Sequence, residues 1–318
     1  MTDLKDVYRK LCDEVEDIPI FSQAWWLDAA AGEANWNVSV VMRDGKAIAS
    51  MPYVTHKKFG MTLLQQPPLT QTLGPWIKKS DAKYAKTLGQ QKDSMEALIG
   101  QLPKFQYFTQ NWHHSQTNWL PFFWQGFKQT TRYTYVINDL SDEKKLWEEL
   151  QQNIRTDIKK AENRFAVVVK DDCSINDFLE LNRLVFKRQG LPLPYSEELV
   201  KRLDQACATR HCRKIFIAVD DQGRKHAGIY LIWDSSSAYY VMGGGDPELR
   251  NSGATSLCMW EAIKFSATVT KKFDFEGSMM EPVERFFRGF GARQVPYFSI
   301  SKVKSTILKT AFFLKGLR

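Results

Sequence analysis

No apolar run in the 318 residues approaches the roughly 20 that a membrane-spanning helix requires. The opening Met1-Thr-Asp-Leu-Lys-Asp is charged and lacks the apolar core of a secretory signal, so the expected location is cytoplasmic. Five cysteines (Cys12, Cys173, Cys207, Cys212, Cys258) are odd in number and too scattered for a disulfide framework. Cys207 and Cys212 flank His211, but tetrahedral zinc needs four ligands and no second pair accompanies them, so no metal is expected. No serine or cysteine sits in a nucleophile-elbow pattern. The basic residues are spread along the chain and recognition motifs are missing, which argues against a DNA binder. What remains is an ordinary globular composition, 43% hydrophobic and 25% charged, with chain for about two domains. Lys+Arg 44 against Asp+Glu 36 gives +8, which favours an anionic partner: a phosphate-rich donor, a nucleic acid or an acidic lipid surface.

Three echoes run through the chain in one order. Val38 to Tyr53 and Ile215 to Trp233 both read as strand, tight turn, strand, with Asp44-Gly45 and Gln222-Gly223 supplying the left-handed turn positions. Lys104-Phe-Gln-Tyr-Phe108 is answered by Lys272-Phe-Asp-Phe-Glu276, and Phe123-Trp-Gln-Gly-Phe127 with its following strand by Phe287-Arg-Gly-Phe290 with its own. The offsets, 178, 168 and 163 residues, drift by only 15. A duplicated fold is expected, with domains 1–140 and 141–318. Between the copies, Leu146, Leu150, Ile154 and Ile158 repeat every four residues, predicting one long helix over Ser141 to Arg164. The second copy continues as strand, two helices, hairpin, strand, helix, strand, short helix and strand. Interleaved strands and helices give an α/β class with mixed sheets.

Two segments of the second copy suit chemistry. Met242-Gly-Gly-Gly-Asp-Pro-Glu-Leu-Arg250-Asn-Ser-Gly253-Ala-Thr255 follows a strand and opens a helix. A glycine-rich strand-to-helix turn offers backbone N–H groups and the positive helix end to an anion, and Arg250 adds a bidentate donor. The alternative is a flexible turn with a surface arginine. In Phe273-Asp274-Phe275-Glu276, alternation buries both rings and points both carboxylates to one side, where they raise each other's pKa and can accept protons near neutral pH. The alternative is a solvent-facing acidic edge. The first copy has Gln106 and Phe108 at the echoed places and no Arg-x-x-Gly loop.

Arg250-x-x-Gly253-x-Thr255, then helix, strand and Phe287-Arg-Gly-Phe290, resembles the acyl-CoA diphosphate loop and later elements of GNAT N-acyltransferases. The two linked halves, Asn153-x-Arg155-x-x-Ile158-Lys-Lys-Ala161, Phe273-Asp-Phe-Glu-Gly-Ser278 and Phe286-Phe-x-x-Phe-Gly291 resemble the FemAB-like, or BioF2-like, branch with its double GNAT fold. The resemblance implies two tandem GNAT-like domains, each a mixed, largely antiparallel twisted sheet flanked by helices. It implies acyl transfer from acetyl-CoA or another acyl-CoA to an amine on a cell-envelope glycan or peptidoglycan precursor. Donor binding then falls to Met242, Gly243, Gly244, Arg250, Ser252, Gly253, Ala254 and Thr255, and catalysis to Asp274 or Glu276 as base with Tyr240 as acid on the leaving thiolate. The first copy is expected to be a non-catalytic acceptor-side wall. The loop ends in Thr255 where GNAT proteins usually carry glycine or alanine, and amino-acid-transferring relatives take aminoacyl-tRNA, so a tRNA-borne donor is the enzymatic alternative. A non-catalytic GNAT-like binding module is the alternative of another class.

Other features divide between two readings. His113-His114 beside Trp112 and Trp119 form a pocket wall or a polar loop, and the ten tryptophans serve sugar stacking or the core. Lys302 to Arg318 has no acidic residue and an Ile307, Leu308, Ala311, Phe312 stripe. It suits peripheral contact with the inner, anionic face of a membrane, or a helix docked on the first half with its lysines in solvent.

Overall fold

In the computed structural model the described residues are 3–277 and 279–314. Ser278 and the last four residues of the basic C-terminal stretch lie outside them. The chain forms two compact units: Met1–Arg132 with Pro296–Arg318, and Tyr133–Val295.

In the first unit, helices α1 (Leu4–Glu14) and α2 (Ala24–Ala31) precede strands β1 (Trp36–Arg43), β2 (Lys46–Lys58), β3 (Met61–Leu64) and β4 (Trp76–Ile77). Helix α3 (Tyr84–Gly100), strand β5 (Tyr107–Asn111) and helix α4 (Leu120–Trp124) follow, and strand β6 (Lys128–Ile137) carries the chain into the second unit. The β1–β2 hairpin turns on Asp44 and Gly45, both at positive φ, as the sequence requires of a two-residue turn. β2 pairs antiparallel with β3, and β3 runs parallel to β5, the arrangement a crossover helix such as α3 permits. Two apolar clusters fill this unit. One packs α1 and α2 under β1, and the other gathers Phe105, Phe108, Trp112, Phe122 and Phe127 beneath α3 and α4.

The second unit continues with α5 (Glu143–Glu149), α6 (Gln152–Phe165), β7 (Val168–Lys170), α7 (Ile175–Arg188) and α8 (Glu197–Thr209). Then come β8 (Arg213–Val219), β9 (Lys225–Trp233), β10 (Ser237–Gly245), α9 (Ala254–Val269), β11 (Lys272–Asp274) and α10 (Glu281–Arg288). Strand β12 (Arg293–Val303) returns to the first unit and α11 (Thr306–Leu314) follows it. The expected single helix over 141–164 is two. Leu150 leaves helical geometry at ψ 136 so that the Gln151 N–H donates to the Gly289 carbonyl at 2.8 Å. The four-residue spacing survives the break, and Leu146, Leu150, Ile154 and Ile158 are all buried. Helices α6 and α9 cover one face of the sheet. On the other face, Leu181 and Phe178 of α7 lie against Gly228 of β9.

The duplication is visible as matching order: β1, β2, β3, α3, β5, α4 in the first unit and β8, β9, β10, α9, β11, α10 in the second. The closing strands are exchanged. β11 takes its antiparallel neighbour from β6, the strand that ends the first copy, and β5 takes β12, which ends the second. The final strand and α11 therefore pack with the first unit, whereas sequence order assigns them to the second copy.

Candidate active site

β10 carries a bulge between Tyr240 and Met242, where its pairing with β9 slips by one residue. Its other neighbour, β11, pairs only over Ser237–Tyr239. From Tyr240 to Gly245, among the described residues, β10 has ladder partners on β9 alone, so the sheet opens at the bulge. Unpaired strand edges next to bulges commonly re-aim backbone groups at a ligand. The glycines expected in a loop are strand residues here: Gly243 pairs with Ile229 and Gly244 with Gly228. They are glycine because both faces are crowded. The Tyr240 hydroxyl lies 1.9 Å from where a Gly243 Cβ would stand, and a Gly244 Cβ would meet the α7 backbone at Asn182, 2.8 Å away.

Asn182, which sequence reasoning missed, donates from Nδ2 to the Gly243 carbonyl at 2.7 Å and accepts from the Tyr195 hydroxyl at 3.0 Å. It is 2% exposed. A buried asparagine that holds one strand carbonyl fixes the peptide beside the bulge. Nothing in its local sequence, mid-helix among leucines, marks it.

The phosphate-type turn lies between β10 and α9. Arg250 and Thr255 are exposed, while Ser252, Gly253 and Ala254 are buried. Gly253 caps α9 at φ 84, and a Cβ there would fall 2.2 Å from the Asp157 carbonyl of α6, so only glycine fits. Ser252 is tied to a buried triplet that sequence reasoning also missed. His226 Nδ1 is 2.9 Å from Ser252 Oγ, and His226 Nε2 is 3.1 Å from Asp220 Oδ2. The carboxylate can only accept, so in a neutral ring Nε2 holds the proton and Nδ1 accepts from the Ser252 hydroxyl. Burial raises the Asp220 carboxyl, but His226, the Arg224 N–H and the Arg224 guanidinium outweigh it and hold it well below the usual range. Ser252 Oγ also accepts the Ala254 N–H at 3.3 Å. One amide of the helix start is thus used internally.

The carboxylate pair departs from the expected alternation. β11 ends at Asp274, and Glu276 stands at φ 57 beyond it. They remain neighbours through a turn: the Glu276 N–H donates to Asp274 Oδ1 at 2.7 Å, and the Thr134 hydroxyl donates to the same oxygen. Phe273 and Phe275 enter the core beneath α9 and α6, so Asp274 between them faces the other side of the sheet. The turn at Gly253 and Asp274 are therefore not on one face of the sheet. Burial raises Asp274 to about 6, with the Asp234 charge adding to it and the Thr134 and Glu276 donors opposing it. Burial and the Asp274 charge push Glu276 well above the ordinary carboxylate range. Burial likewise pushes the Tyr240 phenol up. Tyr240 and Phe275 both pack on Phe287, with ring centroids 5.8 and 5.0 Å away, which joins the bulge to the end of β11.

Residues 149–281 match the family model of the acetyltransferase (GNAT) domain. Along nearly its whole length the chain matches the crystal structure of FemX, at 13% identity over 99% of this chain and 98% of that one, with a TM-score of 0.69. The fold is shared with FemX. A tandem GNAT protein from the clavulanic acid biosynthesis pathway matches at 10% identity, 95% and 94% coverage and TM-score 0.53. The C-terminal domain of a putative lysylphosphatidylglycerol synthetase from Agrobacterium fabrum matches at 11%, 98% and 96%, and 0.58. No curated protein matches the chain in sequence. The GNAT match covers β8 to β11 together with α6 to α9, the segment that holds the bulge, the capped turn and Asp274.

Proposed function

We propose that the protein is an N-acyltransferase that moves an acyl group from acyl-CoA to an amine on a cell-envelope glycan or peptidoglycan precursor. The observation that carries this reading is the β10 bulge beside an open sheet edge, flanked by the Arg250–Thr255 turn on one face and the Asp274–Glu276 pair on the other. The donor's diphosphate meets Arg250 and the free amides at the start of α9. Its thioester lies along the β10 edge, and the amine arrives from the opposite face. An alkylammonium titrates near 10, so it must lose a proton before attack, and Glu276 or Asp274 takes that proton, directly or through water. Amine nitrogen adds to the thioester carbonyl, backbone N–H groups near Met242 and Gly243 hold the oxyanion, and collapse breaks the C–S bond. Tyr240, kept protonated by burial, gives its proton to the leaving thiolate, and the amide nitrogen sheds its remaining surplus proton to the phenolate, which restores the phenol.

A second reading takes the acyl group from aminoacyl-tRNA. Thr255 favours it, because an exposed side chain stands where GNAT loops usually keep glycine or alanine. Thermal melts separate the two. A rise in Tm with acetyl-CoA that is lost in Arg250→Ala supports the thioester donor, whereas no shift together with retention of charged tRNA supports the other. No ligand-induced shift and no transfer with either donor leaves a binding module.

A further inference from the structure

The β2–β3 hairpin turns on Phe59 and Gly60, with φ 50 and 71. The β1–β2 hairpin makes the same turn with Asp44 and Gly45, at 50 and 74, and Asp-Gly is what this turn type selects. A phenylalanine in the left-handed region is strained, and it is normally tolerated where packing holds it. Phe59 has no such compensation: it is 87% exposed. Neither turn chemistry nor the core explains why an aromatic ring stands at that tip.

Its surroundings are specific. The Gln106 N–H donates to the Thr62 carbonyl at 2.9 Å and the Lys304 N–H to the Gln106 carbonyl at 2.8 Å, so the tip end of the hairpin, the start of β5 and the end of β12 lie side by side. Lys57, Lys58, Lys104 and Lys304 are all exposed at this end of the sheet. Helix α11 follows directly, leaning on β5 through Phe312 and Tyr107, 5.2 Å between centroids. Ile307 and Leu314, seven residues apart and so on one side of that helix, are 76% and 78% exposed. The sequence contains no Asp or Glu from Gly45 to Ser80, from Ala97 to Asn138, or after Pro296. An exposed ring and aliphatic side chains among lysines that form no ion pair among the described residues fit an interface where apolar groups enter the acyl boundary and ammonium groups meet headgroups. The aliphatic residues gain nothing from stacking on nucleobases, and every basic residue named is a lysine, not the arginine that nucleic-acid recognition favours.

We propose that this end of the first unit docks on a bilayer surface rich in anionic phospholipid, with Phe59 as its inserted anchor. The surface extends well beyond the C-terminal stretch that composition alone singles out, and it does not depend on the acyl-transfer reading. The test is flotation of the full chain with vesicles of phosphatidylglycerol in phosphatidylcholine, against phosphatidylcholine alone, at low and high salt. Binding to the anionic vesicles only, falling with salt, is expected. Phe59→Gly should weaken it about tenfold. That change suits the left-handed turn, so Tm should hold or rise, which separates lost docking from lost folding. Lys57→Gln and Lys58→Gln should each weaken it about fivefold. Equal retention on phosphatidylcholine, or full retention of Phe59→Gly, overturns the proposal. Displacement of the vesicles by bulk transfer RNA at lower concentration does so too, and gives the lysines to RNA.

Discussion

At matching places in the two units the same fold is put to different use. Helix α3 begins at Lys83 with no side-chain cap and presents Tyr84 at 79% exposure. Its counterpart α9 begins in a buried left-handed glycine, with Ser252, His226 and Asp220 locked behind it. Just before the following strand, Gln106 Oε1 accepts the Thr62 N–H at 2.6 Å and ties this segment to β3, whereas Asp274 is a buried carboxyl with a raised pKa. Charge divides the same way: the first unit holds 20 Lys+Arg against 12 Asp+Glu, the second 24 against 24. The whole +8 belongs to the unit without the candidate site. Among the described residues the buried aspartates and histidine (Asp204, Asp220, His226, Asp274) all lie in the second unit, whereas the first buries neutral polar side chains and carries the net charge on its surface. Buried polar networks cost stability unless fully satisfied, so they persist where a function requires them.

The sharpest way to break this division is at the base. Glu276→Gln with Asp274→Asn should lower kcat about 10²- to 10³-fold while vesicle binding stays unchanged. Full acyl transfer by the folded double variant would move the base elsewhere.

Glycine substitution contrasts the units by stability. Gly253→Ala sets a Cβ 2.2 Å from a backbone oxygen and should cost about 3 kcal/mol in denaturant unfolding. Gly45→Ala, with open space around it, should cost about 1 kcal/mol, from φ alone. Equal losses would mean that the seat of the turn on α6 does not matter.

Asp274→Asn should stabilise the protein at pH 7. The folded carboxyl titrates near 6, above its unfolded value near 3.9, so its ionisation opposes folding fully above pH 6 and not at all below about pH 4. Replacing it should therefore gain about 2 kcal/mol at pH 7, fading to nothing at pH 4, as read from Tm across that range. No such pH-dependent gain would place the raised pKa elsewhere. Smallest of the four, Arg250→Ala should weaken acetyl-CoA about tenfold in titration calorimetry, since one exposed charge-assisted contact is lost.

Much of the fold was legible because period and punctuation agree with it. Asp44-Gly45 and Gly223 turn hairpins, the apolar residues from Leu146 to Ile158 are buried, and the three echoes fall on matching elements. The exchange of β6 and β12 was not legible, since each strand reads alike whichever sheet it completes. At the site, a turn over Arg250–Thr255 between strand and helix was readable from its residue types, whereas Asp274 and Glu276 meet through a turn and not through the alternation their spacing suggested. Asn182, His226 and Asp220 were not legible, because their meaning comes from partners 26 to 61 residues away or from a local turn of ordinary composition. The dispersal of basic residues was also misleading. Nine of the first unit's acidic residues fall within residues 1–44, which leaves the rest of that unit strongly basic.

The crossed closing strands bear on how the chain is made. A ribosome delivers α1 through β6 first, but β5 has no antiparallel neighbour until Ser299 to Val303 emerge, after the elements of the second unit. The first copy must wait, half-edged, for the last strand of the second, while the second can close on β6 as soon as β11 appears. Sequence order and folding order are therefore reversed, and a fragment cut near residue 140 would leave the earlier-made copy with an open β-edge, prone to pair with another chain.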